Sequence, residues 1–391
     1  HTLVAFSHLA ARAMTFHYDS DRGLLLTALS LHGTVIPKVL QSRAFWVFFC
    51  FHMIVWLSFR FGLMGKRELD PAADFGLDWK FVGVITSITT FFEVFYSQQC
   101  YGRYQTLYKT FRGMIEDSFA FAYLMRVHVG EKSQSSVRLS IRYMILSMFL
   151  QVFEMKSVES GEDAIGHAGD NELAGLVKFG LLKPRERDAM AQVHRKHRAI
   201  TALNWSASFA LVGAAESKGP NNIYGTLSQK LFLIRSGQQV IIDTLSLPVP
   251  FQYFHLLTTM ICANLGLWAF SMGLTDSIFA PVVFFFASLI FIGMMELSSD
   301  LSDPFGDDEV DFPVDAWLAD CVESLVEIIE GSYPGGTDGM NLAAAEEVAM
   351  PREYREMHIF REVTALVQQA VDAGTPPPSP PGRKRGNTSS D

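Results

Sequence analysis

The chain has 391 residues, 49% of them hydrophobic and 13% aromatic, with 32 phenylalanines and a formal charge of −9. Its mean hydropathy is positive, which together with the phenylalanine content points to a membrane protein rather than a set of soluble domains. The acidic balance and the lack of a basic stripe exclude a nucleic-acid partner, and four cysteines with no CxxC pair exclude a disulfide framework and a structural zinc site.

Taken in chain order, residues 1–43 form an N-terminal segment that begins at His1 without a basic-then-apolar leader, so no signal peptide is expected in it. A span of the hydrocarbon layer takes about 20 residues with few charges, and four stretches meet that. The first runs from Ala44 through "FWVFFCFHMIVWLSF" to Phe59 and is closed by Arg60. The second, Phe81 to Gly102, holds one ionisable group, Glu93, for which Arg60 is the candidate partner because intramembrane carboxylates are usually paired. Together they make a unit over 44–104. Residues 105–243 read as a helical cytoplasmic domain, in which the apolar run of "VRLSIRYMILSMFLQVFEMK" is too short to cross a bilayer and is expected to be a buried bundle helix. The third and fourth spans, Thr244 to Thr275 and Ser277 to Met295, fill 244–298, and Pro248 and Pro250 break the start of the third.

An acidic loop follows at 299–317, then amphipathic helices over 318–372 and a Pro-rich, basic tail at 373–391 that is expected to be disordered. Lys38 and Arg43 precede the first span, and Arg103, Lys109 and Arg112 follow the second. The loop between the third and fourth spans has neither Lys nor Arg. Both termini and the middle of the chain are therefore expected on the cytoplasmic side, or on the topologically equivalent side of another membrane.

The acidic loop carries Asp300, Asp303, Asp307, Asp308, Glu309, Asp311 and Asp315 directly after an apolar helix. Carboxylates this dense repel one another and face the negative end of the helix dipole, so they call for a bound cation or generous solvent. Both readings stay open on the residues alone. His194 and His197 in "VHRKH" lie among bases and read as a solvated helix face rather than a metal site. No Gly-rich phosphate loop, HExxH or nucleophile elbow is present, so nothing supports an enzyme.

The stretch from Asp303 to Phe312, with "HGTVIPK", "FYSQQCYGRYQTL" and "DTLSLP" ahead of it in the chain, resembles segments of the bestrophins, a family of homopentameric anion channels. Asp303-Pro304-Phe305-Gly306-Asp307-Asp308-Glu309-Val310-Asp311-Phe312 is similar to the acidic loop of the animal-type members. "HGTVIPK" from His32, "FYSQQCYGRYQTL" from Phe95, Ile141-Arg142-Tyr143, "GLLKPRE" from Gly180 and "DTLSLP" from Asp243 resemble further family segments in the same order. The resemblance implies an all-α integral membrane protein with four transmembrane helices, a cytoplasmic helical bundle and a homopentamer around a central pore in the lipid bilayer.

It also implies a calcium clasp, with Asp308 and Asp311 as side-chain ligands, Asp300 and the Asp303 carbonyl as further ones, and an N-terminal carbonyl near His17. Calcium takes six to eight oxygens, so one loop cannot complete that shell. The departures are Val310, which interrupts the acidic run, and Asp303, where the family has Asn. The implied apolar neck of the pore falls on Gly83, Ser87 and Phe91, or one residue along on Val84, Ile88 and Phe92, and an aperture falls near Ile223. The expected function is conduction of chloride, and of bicarbonate, with calcium gating. An ion-coupled transporter using Glu93, or a bestrophin module of a larger fusion, is the alternative.

Overall fold

The computed structural model describes residues 33–62, 79–130, 133–159, 168–217, 222–247, 249–275, 277–306 and 310–330. These residues are helix and loop throughout. The eleven helices are α1 (Ile36–Gln41), α2 (Arg43–Arg60), α3 (Trp79–His128), α4 (Gln134–Glu159), α5 (Ala168–Lys178), α6 (Pro184–Ala191), α7 (Arg195–Ser217), α8 (Ile223–Ser246), α9 (Phe251–Gly273), α10 (Ala280–Ser302) and α11 (Val314–Glu330).

The second expected span is not a separate helix. It is the first half of α3, whose 50 residues reach about 75 Å at 1.5 Å per residue, far more than a bilayer's ~30 Å hydrocarbon layer. One stripe of α3 is buried at helical spacing over its whole length: Val82, Thr89, Glu93, Tyr96 and Cys100, then Leu107, Phe111, Met114, Ser118 and Met125. The upper part of the stripe packs on α9 and α10, the lower part on α8, α11 and α4. α3 is thus the common spine of two units. α2, α9, α10 and the start of α3 form a membrane unit, and the remainder forms a bundle.

By length and composition four described helices could cross a membrane: α2, α9, α10 and the Gln134–Met155 part of α4. The α4 window is 78% buried inside the chain, against 17% for α2 and 33% for each of the other two. α4 is therefore a buried bundle helix, as expected, although its apolar run is long enough to span; its burial inside the chain, not its length, keeps it out of the membrane. α7 runs antiparallel along it, as Ser140 Oγ donates to Ser206 O and Ser147 Oγ to Ala199 O, each at 2.8 Å. The approach is close because α7 turns Ala199, Ala202, Ser206, Ala210 and Gly213 inward. A Cβ on Gly213 would come within 2.7 Å of Val129 and 3.0 Å of Ser136.

α8 ends at Ser246 and α9 begins at Phe251 after Pro250, so the chain breaks where the prolines predict; Pro248 lies outside the described residues. α10 runs on beyond Met295 to Ser302, past the expected end of the fourth span. Asp300 consequently sits in the last helical turn, where the dipole disfavours a carboxylate. Lys38 Nζ, 2.9 Å from Asp300 Oδ2, offsets that.

Candidate functional site

Two regions answer the sequence expectations: the outward face of α3 in the membrane unit and the loop after α10. On α3, Gly83, Val84, Ser87, Ile88 and Phe91 all point away from the chain's own core. Phe91 is 69% exposed, Val84 57% and Ile88 47%. Phe92 is half-buried against Tyr253, with ring centroids 6.3 Å apart, whereas Phe91 is exposed.

Higher up, a Cβ on Gly83 would meet nothing within 4 Å, and Ser87 Oγ donates to Gly83 O at 2.8 Å. A ring of helices presenting this face would be apolar at Val84, Ile88 and Phe91, and would offer a hydroxyl at Ser87. The exposed residues between Phe81 and Gly102 include no Lys, Arg, Asp or Glu. Glu93 is 4% exposed and faces inward; its Oε1 has no hydrogen-bond partner, and the expected pairing with Arg60 is not formed. The reason is depth. Arg60 is the last residue of α2, and Glu93 lies 14 residues, about 21 Å, along α3 from its first residue.

The loop after α10 is fixed by its aromatic ends. Phe312 N–H donates to Pro304 O at 2.8 Å and closes the loop. The Phe312 ring sits 4.6 Å from Tyr104, 5.5 Å from Phe305 and 5.4 Å from Trp317, while Trp317 lies 5.7 Å from Phe111. Tyr104 OH donates to Val310 O at 3.2 Å. The Pro-Phe ahead of the acids and the Phe behind them therefore dock the loop on α3, just below the last residues of the membrane half.

Arg103 locks the same junction, donating Nε–H to Ser302 O at 2.6 Å and an Nη1 hydrogen to Leu247 O at 2.7 Å. Both acceptors close helix ends whose carbonyls would otherwise be orphaned.

Among the expected calcium ligands, Asp303 and Asp311 lie on this docked loop. Asp303 Oδ1 is buried with no hydrogen-bond partner; burial raises the Asp303 carboxyl, against the pull of Arg103 and the Phe305 N–H. Asp300 is engaged by Lys38. Asp308 and His17 lie outside the described residues, as do Asp307 and Glu309. Among the described residues no group of three or more His, Cys, Asp or Glu side chains is arranged to hold a metal. Two carboxylates on a closed loop, with Asp303 Oδ1 buried and unbonded, are a hard-oxygen donor set of the type calcium takes, and they are a partial one. Ile223, the expected aperture residue, opens α8 and is 7% exposed, packed in the bundle core.

Sequence reasoning missed how its own fragments join. Ile141-Arg142-Tyr143 and "GLLKPRE" meet in a single knot: Arg142 Nη2 and Tyr143 OH both reach Glu186 Oε1 at 2.7 Å, and Lys183 N–H donates to Glu186 Oε2 at 2.8 Å. Burial alone would raise Glu186, but these donors hold its carboxyl below the usual range. Arg103 and "DTLSLP" meet through Leu247 O. The only signal for these pairings was their order along the chain, which carries no distance.

The family model described as Bacterial/Fungal Bestrophin protein matches residues 17–327. Among solved structures, a bacterial bestrophin homologue from Klebsiella pneumoniae is similar at a TM-score of 0.61 and 16% identity, over 74% of this chain and 98% of that one. A point variant of the Klebsiella pneumoniae homologue matches at a TM-score of 0.61 and 15% identity, over 72% and 98%. No curated protein matches the chain.

Proposed function

The chain belongs to the bestrophin family and is an integral membrane protein, and on that premise we propose that five copies form an anion channel. The observation that carries this reading is the outward face of α3: apolar at Val84, Ile88 and Phe91, free of acid and base from Phe81 to Gly102, with its one carboxylate turned away. Five such faces around an axis give stacked apolar rings, which gate by dewetting, and the absence of an acidic ring leaves anions unrepelled. Phe91 is the narrowest ring. Chloride is the expected permeant, with bicarbonate as a second.

Calcium regulation belongs to the same proposal and rests on the acidic loop. Asp303, Asp308 and Asp311 would hold the ion, with Asp300 released from Lys38 to join them and a carbonyl near His17 contributing from the N-terminal segment. Bound calcium would neutralise the clustered carboxylates. The loop's aromatic anchors on Tyr104 and Tyr108 lie on the helix that carries Phe91, so ordering the loop bears directly on the neck.

The purified protein in a planar lipid bilayer tests both parts. Unitary steps reversing with the chloride gradient are expected, and Phe91→Ala should raise open probability severalfold. A monomer in native lipid, or no halide current at any calcium concentration, would overturn the channel. Unchanged calcium dependence in Asp308→Ala with Asp311→Ala would overturn the clasp alone.

A further inference from the structure

The membrane unit buries polar atoms that a passage along the outward face of α3 does not use. His52 on α2 is fully buried and sits 2.9 Å from Ala269 O through Nδ1. A carbonyl can only accept, so Nδ1 carries the hydrogen and Nε2 is a lone pair, and Nε2 has no donor. On α9, Asn264 is fully buried; its Oδ1 lies 2.8 Å from Thr86 Oγ1, whose one hydrogen is shared with Val82 O, also at 2.8 Å, while Nδ2 has no acceptor. Ser288 on α10 is fully buried, and its hydroxyl has no partner. Glu93 on α3 completes the set, so each of the four membrane helices contributes at least one orphaned atom, and α9 a second at Ser271 Oγ.

The contacts order these groups by depth. His52 stacks on Phe284 at 4.6 Å and is level with Ala269. Asn264 and Ser288 lie five and four residues inward of those two, both about 6–8 Å deeper at 1.5 Å per residue. Thr86 is level with Asn264 by their hydrogen bond, and Trp268 Nε1 also reaches Thr86 Oγ1 at 2.8 Å. Glu93 is two turns, about 10 Å, farther inward on the same face of α3. One turn beyond it, Ser97 and Ser298 pair through their hydroxyls at 2.7 Å. The result is a polar seam inside one chain, on the side of α3 opposite Phe91.

In hydrocarbon an orphaned polar atom is costly, and buried waters with two or more polar partners are the usual remedy. The carboxylate needs more than water. Among the described residues Glu93 makes no ion pair. On its own helix Tyr96 and Cys100 are neutral, and Arg103 is about 15 Å inward with its hydrogens on Ser302 O and Leu247 O. From α9, Tyr253 spends its hydroxyl on Phe92 O at 3.0 Å, and His255 is exposed on the outer side. On α10, Glu296 points away from the Ser97 contact, being two residues, about 200°, from Ser298. A metal cation would need several oxygens at once, and the neighbours of Glu93 along α3, Phe92 and Tyr96, are aromatic residues of the apolar core. The remaining way to remove the charge is a proton.

We propose that the interior of each four-helix unit is a hydrated, proton-binding seam, separate from the passage between copies. Glu93 carries the proton there, and waters link its carboxyl group to the Thr86–Asn264 and Ser97–Ser298 pairs. On uptake a bridging hydronium gives its proton to Oε1 and becomes water; on release the reverse holds. The seam rests on the packing of a single chain, so it does not depend on the channel reading.

Infrared difference spectroscopy on the protein in lipid bilayers tests it. At neutral pH the wild type should show a protonated carboxylic C=O band that is lost in Glu93→Gln and kept, at a shifted frequency, in Glu93→Asp. Transfer to D2O should shift the wild-type band promptly, and Asn264→Leu with Ser288→Ala should slow that shift by interrupting the waters. A missing band means an ionised Glu93 and overturns the proposal. A band that never shifts in D2O means a dry acid and overturns the hydrated seam. Loss of chloride current with the band intact would count against the channel and leave the seam standing.

Discussion

The bundle and the membrane unit share one helix and treat buried charge in opposite ways. In the bundle, half-buried carboxylates that face the interior meet bases: Glu186 meets Arg142, Glu172 meets Arg195 at 2.8 Å, and Asp117 meets Lys230 at 2.9 Å. In the membrane unit Glu93 meets none among the described residues. Surrounding water normally offsets part of the cost of an imperfect pair, so charge pairs serve a bundle as joints. Lipid offers no such relief, so a lone carboxylate held there has a use other than stability.

The largest effect that could break this comparison comes from cutting a joint. Arg142 is 3% exposed at its side chain and holds the first turn of α6, through Glu186, on α4. Arg142→Ala should destabilise the folded protein by about 3–5 kcal/mol, because it leaves the Glu186 carboxylate half-buried without its base. Thermal unfolding in detergent reads this directly, and a change below about 1 kcal/mol would mean the knot is ornamental. Glu93→Gln should leave the unfolding temperature close to that of the wild type, since it exchanges a neutral acid without a base partner for a neutral amide of the same shape.

A second joint titrates. Glu154, 7% exposed on α4, is pushed up to about 7 by burial, with Arg235, Lys196 and Arg195 pulling the other way. A carboxyl whose folded value lies above its unfolded 4.5 binds more protons in the native state between those pH values. Its contribution is therefore full below about pH 4.5 and is lost as pH rises through about 7, a swing on the order of 3 kcal/mol. The difference in unfolding free energy between wild type and Glu154→Gln, followed from pH 4.5 to 8, should trace that loss. A flat difference would place Glu154 among the well-paired carboxylates.

The sequence read well wherever periodicity or composition carried the information, and poorly wherever distance did. The crossings at α2, α9 and α10 were legible because their apolar runs are long and carry few charges, and the burial of α4 was legible as a helix of the bundle. The continuity of α3 was not: the polar residues from Gly102 onward mark a change of solvent, from lipid to water, and nothing in them marks a change of backbone. The neck register was not legible, since the two candidate stripes, Gly83, Ser87 and Phe91 or Val84, Ile88 and Phe92, differ by one residue; in the fold Phe91 is exposed while Phe92 turns against Tyr253. His52, Asn264 and Ser288 were single polar letters in apolar runs. Each alone is unremarkable, and only their convergence from separate helices, with Glu93 on a fourth, makes a seam.

The smallest expected effect sharpens the comparison most. Ser140 and Ser288 are both fully buried serines on long helices. Ser140 Oγ donates to Ser206 O at 2.8 Å and lies 3.1 Å from Ser206 Oγ, so Ser140→Ala strands an acceptor between α4 and α7 and should cost about 1 kcal/mol. Ser288 has no protein partner to strand among the described residues. If its only partner is water held in the seam, Ser288→Ala should change stability by no more than about 0.5 kcal/mol, of either sign, because hydroxyl contacts within membrane helices average near that size. It should nonetheless slow deuterium entry to Glu93, an effect Ser140→Ala cannot produce. A Ser288→Ala loss as large as that of Ser140→Ala, with deuterium entry unchanged, would make Ser288 an ordinary packing residue and erase the distinction between the two halves of the molecule.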